Sequence, residues 1–155
     1  AGESQASRKY RAFALRADQE GYPQVAKLFR AASKAETVHA TNQLRIMKGI
    51  NTTIDNLKAA IAGETYEFTE MYPEFIKDAS AEDKKSAERT FYDAMETEKH
   101  HASYYEEALK NVQDKKDNPP IDYYVCTVCG YTAENGAPVK CPICGTLPKG
   151  FIKVD

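Results

Sequence analysis

Two short stretches, "ETVH" at 36–39 and "EKHH" at 98–101, limit what this 155-residue chain can fold into more than any other feature. Each sets a glutamate and a histidine three apart on what is otherwise the apolar face of a helix. The first interrupts the stripe Leu28, Phe29, Ala32, Glu36, His39, Gln43, Ile46. The second interrupts Phe91, Ala94, Met95, Glu98, His101, Tyr105, Leu109. Steps of three and four residues place each set on one side of a helix. Between them, Glu64 and Glu67 share a stripe with Ile54, Leu57, Ile61, Phe68, Met71 and Phe75, and Glu3 lies seven residues before Tyr10 on nearly the same face. Five glutamates and two histidines are thus expected to converge on one interior. Isolated buried charges are costly, and crowded carboxylates raise one another's pKa. A pair of cations removes both difficulties, because charge neutralises the carboxylates and ligand bonds satisfy their lone pairs. A spacing of three puts both ligands of a Glu-x-x-His on one turn.

Residues 1 to about 112 read as helix. The first segment spans about 2–20 and ends at "EGYP", with Gly21 as terminator and Pro23 opening the next. The second spans about 23–48 and stops at Gly49. "NTTID" caps a third, about 53–78, which Pro73 should kink. "DASAEDKK" supplies a cap and acidic first turn for a fourth, about 81–112. Four amphipathic segments predict a mainly α fold, a four-helix bundle, over residues 1–115. Glu96 and His100 flank the second motif and are read as surface residues. Tyr10 and Tyr72 lie two turns beyond Glu3 and Glu64, where their hydroxyls could meet ligand carboxylates or simply find another partner in the core. Mixed carboxylate and imidazole ligands suit iron or manganese.

"QDKKDNPP" at 113–120 breaks the helical pattern. Residues 116–155 then read as a small β-type module, too short to be stable on an apolar core alone. It holds all four cysteines, as Cys126-x2-Cys129 and Cys141-x2-Cys144, each pair followed by a glycine. Four thiolates at that spacing form a tetrahedral metal site, for zinc or iron. Beside a redox-active pair of irons, a one-electron FeS4 centre makes more sense than a structural zinc ribbon. The absence of cysteine from the first 125 residues argues against a disulfide framework and for a cytoplasmic protein. A net charge of −2 offers no basic face for nucleic acid, and no apolar run suits a membrane.

"AGESQA", "EGYPQVAKLF", "ETVHA", "AGETYEFTEMYP", "ETEKHHASYY" and "YVCTVCGY…APVKCPICG" occur in an order that resembles the rubrerythrin family along nearly the whole chain. The resemblance implies a ferritin-like di-iron domain followed by a rubredoxin-like domain. It implies a peroxidase that reduces hydrogen peroxide to water and protects against oxidative stress. By matching position, a carboxylate-bridged di-iron pair would be held by Glu3, Glu36, His39, Glu64, Glu67, Glu98 and His101. A rubredoxin-type iron would be held by Cys126, Cys129, Cys141 and Cys144. In similar proteins one iron shifts between a glutamate and a histidine, and those positions here are Glu67 and His39. Electrons would come from an external donor such as a rubredoxin or its NAD(P)H-dependent reductase. Ferroxidase activity, or iron binding and storage with a structural zinc ribbon, is the competing expectation.

The chain departs from the family at its start, only two residues before Glu3, so the first turn could fray. A second departure lies between the second and third helices. In ferritin-like bundles these run parallel, so a return link from Glu36's helix to Glu64's must span roughly 34 Å, about 18 Å down one and 16 Å along the other. Residues 49–53 reach at most roughly 20 Å. Either the bundle runs simply up and down, or the protein is a homodimer that exchanges helical pairs between chains. The exchange is the expected solution.

Overall fold

The computed structural model describes residues 1–155. Five α-helices are followed by a three-stranded sheet. The helices are α1 (Gly2–Gln19), α2 (Pro23–Ile46), α3 (Thr53–Tyr66), α4 (Tyr72–Ala81) and α5 (Lys85–Gln113). A π-helical turn, Glu67–Met71, joins α3 to α4. The strands are β1 (Tyr123–Cys126), β2 (Thr132–Glu134) and β3 (Phe151–Lys153), with a 3₁₀ turn at Pro148–Gly150 before β3. The chain divides into two compact units, Ala1–Asn51 and Thr52–Asp155. No helix is long and apolar enough to cross a membrane.

In the first unit α1 and α2 form a hairpin. Gly21, at φ 82°, closes α1 together with a 2.8 Å bond from the Tyr22 N–H to the Ala17 carbonyl, and Pro23 opens α2. Small residues let the helices approach: Ala14, Ala17 and Ala26 are buried, with Phe29 packed against them. Phe13 meets the Phe29 ring edge-on at 5.6 Å, and Tyr10 lies 6.2 Å from Phe29. The Ser33 hydroxyl donates to the Ser7 carbonyl at 2.8 Å, and Arg30 pairs with Asp18 at 2.6 Å. Leu28 and Ile46, expected inside, are 68 % and 85 % exposed. A two-helix hairpin has one inner seam, and these side chains stand off it.

In the second unit α3 and α4 pack on α5. Thr52 caps α3 by accepting the Asp55 N–H at 3.2 Å, as "NTTID" predicts. The expected kink at Pro73 takes the form of the π turn just ahead of it, where the Tyr72 N–H bonds the Glu67 carbonyl five residues back. Pro73 has no N–H to give, so the helical ladder is already one donor short there. "DASA" does not start the last helix as expected. It forms the end of α4, whose exit is set by Asp83 at φ 52° and the Lys84 N–H bond to the Ala79 carbonyl. Helix α5 then starts at Lys85 with no side-chain cap. Phe75 and Phe91 meet at 5.4 Å, and both pack near Tyr72, although Phe75 stays 40 % exposed.

Lys115, at φ 58°, ends α5 ahead of the Pro119–Pro120 linker. In the sheet, β1 is central and antiparallel to both neighbours, with Tyr124 opposite Ala133 and Val125 opposite Ile152. Its buried residues are Cys126, Ala133 and Cys141, too few to hold so small a module without a metal.

Candidate metal centres

The four cysteines are free and lie on two matching turns. The Gly130 N–H bonds the Cys126 carbonyl at 2.9 Å and the Gly145 N–H bonds the Cys141 carbonyl at 3.0 Å. Both glycines have left-handed φ, 86° and 79°, which lets each turn close around its sulfurs. The Sγ atoms of Cys126 and Cys144, and of Cys129 and Cys141, are 3.6 Å apart. A tetrahedron with bonds of about 2.3 Å has edges of roughly 3.8 Å, so these thiols already fit a single tetrahedral ion. Burial pushes the Cys129 and Cys141 thiols up. Burial acts in the same direction on Cys144, but the Thr146 hydroxyl at 3.0 Å and the Thr146 N–H bring it down to about 7. One thiolate is therefore at hand for the first metal bond.

The helical ligands fall into two groups. In the second unit, ligand atoms of Glu64 on α3 and of Glu98 and His101 on α5 lie within 4.8 Å of one another. His101 Nδ1 is 2.7 Å from Glu98 and 4.0 Å from Glu64. Burial, and then the Glu98 carboxylate, raise Glu64 to about 7. Burial and Glu98 also raise Glu67, which sits on the π turn outside the trio. The hydrogen bond to Glu98 holds His101 above its usual range. A carboxylate raised like Glu64, for want of positive charge, is the condition a cation relieves. Tyr72 is raised by burial and by Glu98, Glu67 and Glu64. Tyr105, expected only as a core residue, is raised by burial and by Glu64 and Glu98.

In the first unit, ligand atoms of Glu3, Glu36 and His39 likewise lie within 4.8 Å. His39 Nδ1 is 3.1 Å from Glu36, and the Gln43 amide donates to Glu3 at 3.4 Å. The His39 side chain is 56 % exposed. Tyr10 packs in the aromatic cluster with Phe13 and Phe29. Glu96 pairs with Lys99, and His100 is exposed, with its ring meeting Tyr131 edge-on at 5.0 Å.

The cysteine module is seated on α5. The Thr97 hydroxyl, 2.9 Å from the Asp93 carbonyl and 3.1 Å from that of Cys129, shares its proton between them. Arg89 pairs with Asp93 at 2.8 Å and donates to the Ile143 carbonyl at 3.0 Å. The Tyr104 hydroxyl donates to the Thr132 carbonyl at 3.1 Å, and His101 Nε2 is 3.2 Å from the Thr132 hydroxyl. Of these seating residues only His101 stands out in the sequence, and there as a metal ligand, not as a seat for the module. Their recurrence at 89, 93, 97, 101 and 104 along one face was the available signal.

Helical carboxylate–imidazole groups together with a tetrathiolate cluster on a small sheet define a non-haem di-iron protein with a rubredoxin-like iron module. The rubrerythrin family model matches residues 1–109, and the model for the rubrerythrin rubredoxin-like domain matches residues 124–151. The chain belongs to the rubrerythrin family. It is 35 % identical to rubrerythrin-2 of Clostridium acetobutylicum, over 97 % of this chain and 89 % of that one. It is 32 % identical to nigerythrin of Nitratidesulfovibrio vulgaris, over 93 % of this chain and 77 % of that one. A solved structure of mixed-valent nigerythrin covers 99 % of this chain and 81 % of its own, with 31 % identity and a TM-score of 0.61. The cofactors are a carboxylate-bridged di-iron pair and one iron in the four-cysteine site.

Proposed function

We propose that the protein is a peroxidase that reduces hydrogen peroxide to water in defence against oxidative stress, resupplied by an external one-electron donor such as a rubredoxin. When bound, the iron pair supplies the two electrons that cleave the O–O bond, and the thiolate-held iron passes replacements one at a time. The observation that carries this is the seating of the cysteine module against the helix that bears Glu98 and His101.

The chain's own residues prepare the site. Glu98 holds the His101 ring by Nδ1, Glu64 is ready to exchange a proton for cation charge, and burial and Glu98 raise Glu67 in the same direction. Tyr72 and Tyr105 stay protonated beside the carboxylates, so their hydroxyls can donate hydrogen bonds. Glu67 lies on the π turn and His39 at the exposed end of its cluster, in keeping with a role as alternating ligands. Helices 1–115 would be the catalytic domain and 116–155 the electron-transfer domain.

Neither unit alone carries the full ligand set, and one chain is poorly built to join its two halves side by side. Helix α2 runs ten residues past Glu36 and α3 begins eleven before Glu64, about 15 Å and 16 Å of rise. Ile46 to Thr53 is seven peptide steps, at most about 25 Å. Part of that reach is lost, because the Gly49 N–H bonds back to the Leu44 carbonyl. Exposed Phe13, Leu28 and Val38 on the first hairpin also call for a cover. A second copy of this chain, exchanging hairpins, supplies both the cover and the missing ligands.

The test is rapid mixing of the chemically reduced protein with peroxide and with oxygen separately. Peroxide is expected to oxidise the iron pair many times faster. Faster reaction with oxygen would make the protein a ferroxidase, and a visible spectrum without a ferric-thiolate band would leave the module a zinc ribbon.

A further inference from the structure

His101 meets both metal-binding elements of the second unit. Its Nδ1 faces Glu98 at 2.7 Å and Glu64 at 4.0 Å, while its Nε2 faces the Thr132 hydroxyl at 3.2 Å. Thr132 opens β2, three residues past Cys129. Its carbonyl is held by Tyr104, and the Cys129 carbonyl is held by Thr97, which is only 2 % exposed. The Thr132 backbone is therefore held against α5, and its hydroxyl is presented to His101. A threonine chosen only for strand packing needs its methyl group, not a hydroxyl aimed at a ligand imidazole.

We propose that Thr132 is a positioning residue for electron transfer within one chain. Its hydroxyl accepts the His101 Nε2 proton, keeps Nδ1 turned to the carboxylates, and couples the cysteine module to the metal-binding residues of its own α5. With iron bound, the four cysteines would hold the centre that gives up one electron at a time, and Glu64, Glu98 and His101 would hold the metal that receives it. No bond in the protein forms or breaks, and an external one-electron donor replaces what leaves. Only the physiological purpose of this transfer rests on the peroxidase proposal.

The test compares Thr132→Val, which keeps the β-branched shape and strand preference but removes the acceptor, with Thr132→Ser, which keeps a hydroxyl. Both are made in the full chain. In zinc-loaded protein, NMR follows solvent exchange of the His101 Nε2 proton. Thr132→Val is expected to speed exchange at least tenfold, with Thr132→Ser close to wild type. In iron-loaded protein without peroxide, a pulse of one-electron reductant first bleaches the ferric-thiolate band. The rate at which the band returns, as the electron moves on, should fall at least tenfold in Thr132→Val and recover in Thr132→Ser. An unchanged return rate in Thr132→Val would overturn the proposal, even if proton exchange rose. Failure of Thr132→Ser to restore the rate would also overturn it, by tracing the loss to packing. Because no peroxide is present, these outcomes stand apart from whether the protein is a peroxidase.

Discussion

Glu64 links proton, metal and stability, and Glu64→Gln separates them. In the metal-free chain the Glu64 carboxyl lies at about 7, above its ordinary 4.5, because burial and the Glu98 carboxylate disfavour its charge. The fold thus prefers the protonated form. Its contribution to stability is complete below 4.5 and is lost as pH rises through about 7. The full displacement would correspond to about 3 kcal/mol. The side chain remains 19 % exposed, and water screens part of the effect, leaving about 1–2 kcal/mol. Glutamine keeps the shape and cannot ionise. Chelator-treated Glu64→Gln should therefore match wild type at pH 5 and gain about 1–2 kcal/mol on it at pH 8. With urea slopes of about 2 kcal/mol/M, followed by helical circular dichroism, that is a midpoint higher by about 0.5–1 M. With iron bound the order should reverse, because glutamine is a poorer ligand. Equal differences between the two proteins at pH 5 and pH 8 would refute the assignment of this pH dependence to Glu64.

Cys126→Ser and Cys144→Ser should abolish turnover with an external donor but leave the single reaction of the reduced iron pair with peroxide. Loss of both, measured by rapid mixing, would mean that the module does more than relay electrons. Glu67→Ala should slow the peroxide reaction far more than it lowers bound iron, since six other side chains remain. Iron analysis showing loss of the whole pair would count against Glu67 as a mobile ligand. Co-expressed Glu36→Ala and Glu98→Ala chains should regain part of their activity as a mixed dimer, because hairpin exchange gives one site both lesions and the other none. A mixed dimer that forms and stays inactive would show that each chain completes its own site.

Helical periodicity and cysteine spacing made most of the site legible in advance. Glu3, Glu36 and His39 gather on one hairpin, and Glu64, Glu98 and His101 gather in the other unit, as their spacing along the helices requires. Periodicity could not say how wide each seam within one chain is, so Leu28 and Ile46 were expected inside and are exposed on the single chain. Nor could it reveal the π turn, since one residue too many in a helix leaves no compositional trace beyond Pro73. The seating of the cysteine module depends on hydroxyls and carbonyls meeting across long sequence separations, as Thr97 meets Cys129. A threonine within a helix looks the same in sequence whether it serves such a contact or only its own preceding turn.

Arg89, Asp93, Thr97, His101 and Tyr104 make α5 a ruler as well as a support. The distance from the thiolates to His101 is set by the pitch of a single helix and not by the fit between subunits. If hairpins are exchanged in a dimer, as proposed, dilution would scatter the iron ligands but could not lengthen that distance. Assembly of the site would then depend on protein concentration, while the passage of an electron, once the site exists, would run at a rate that concentration does not change.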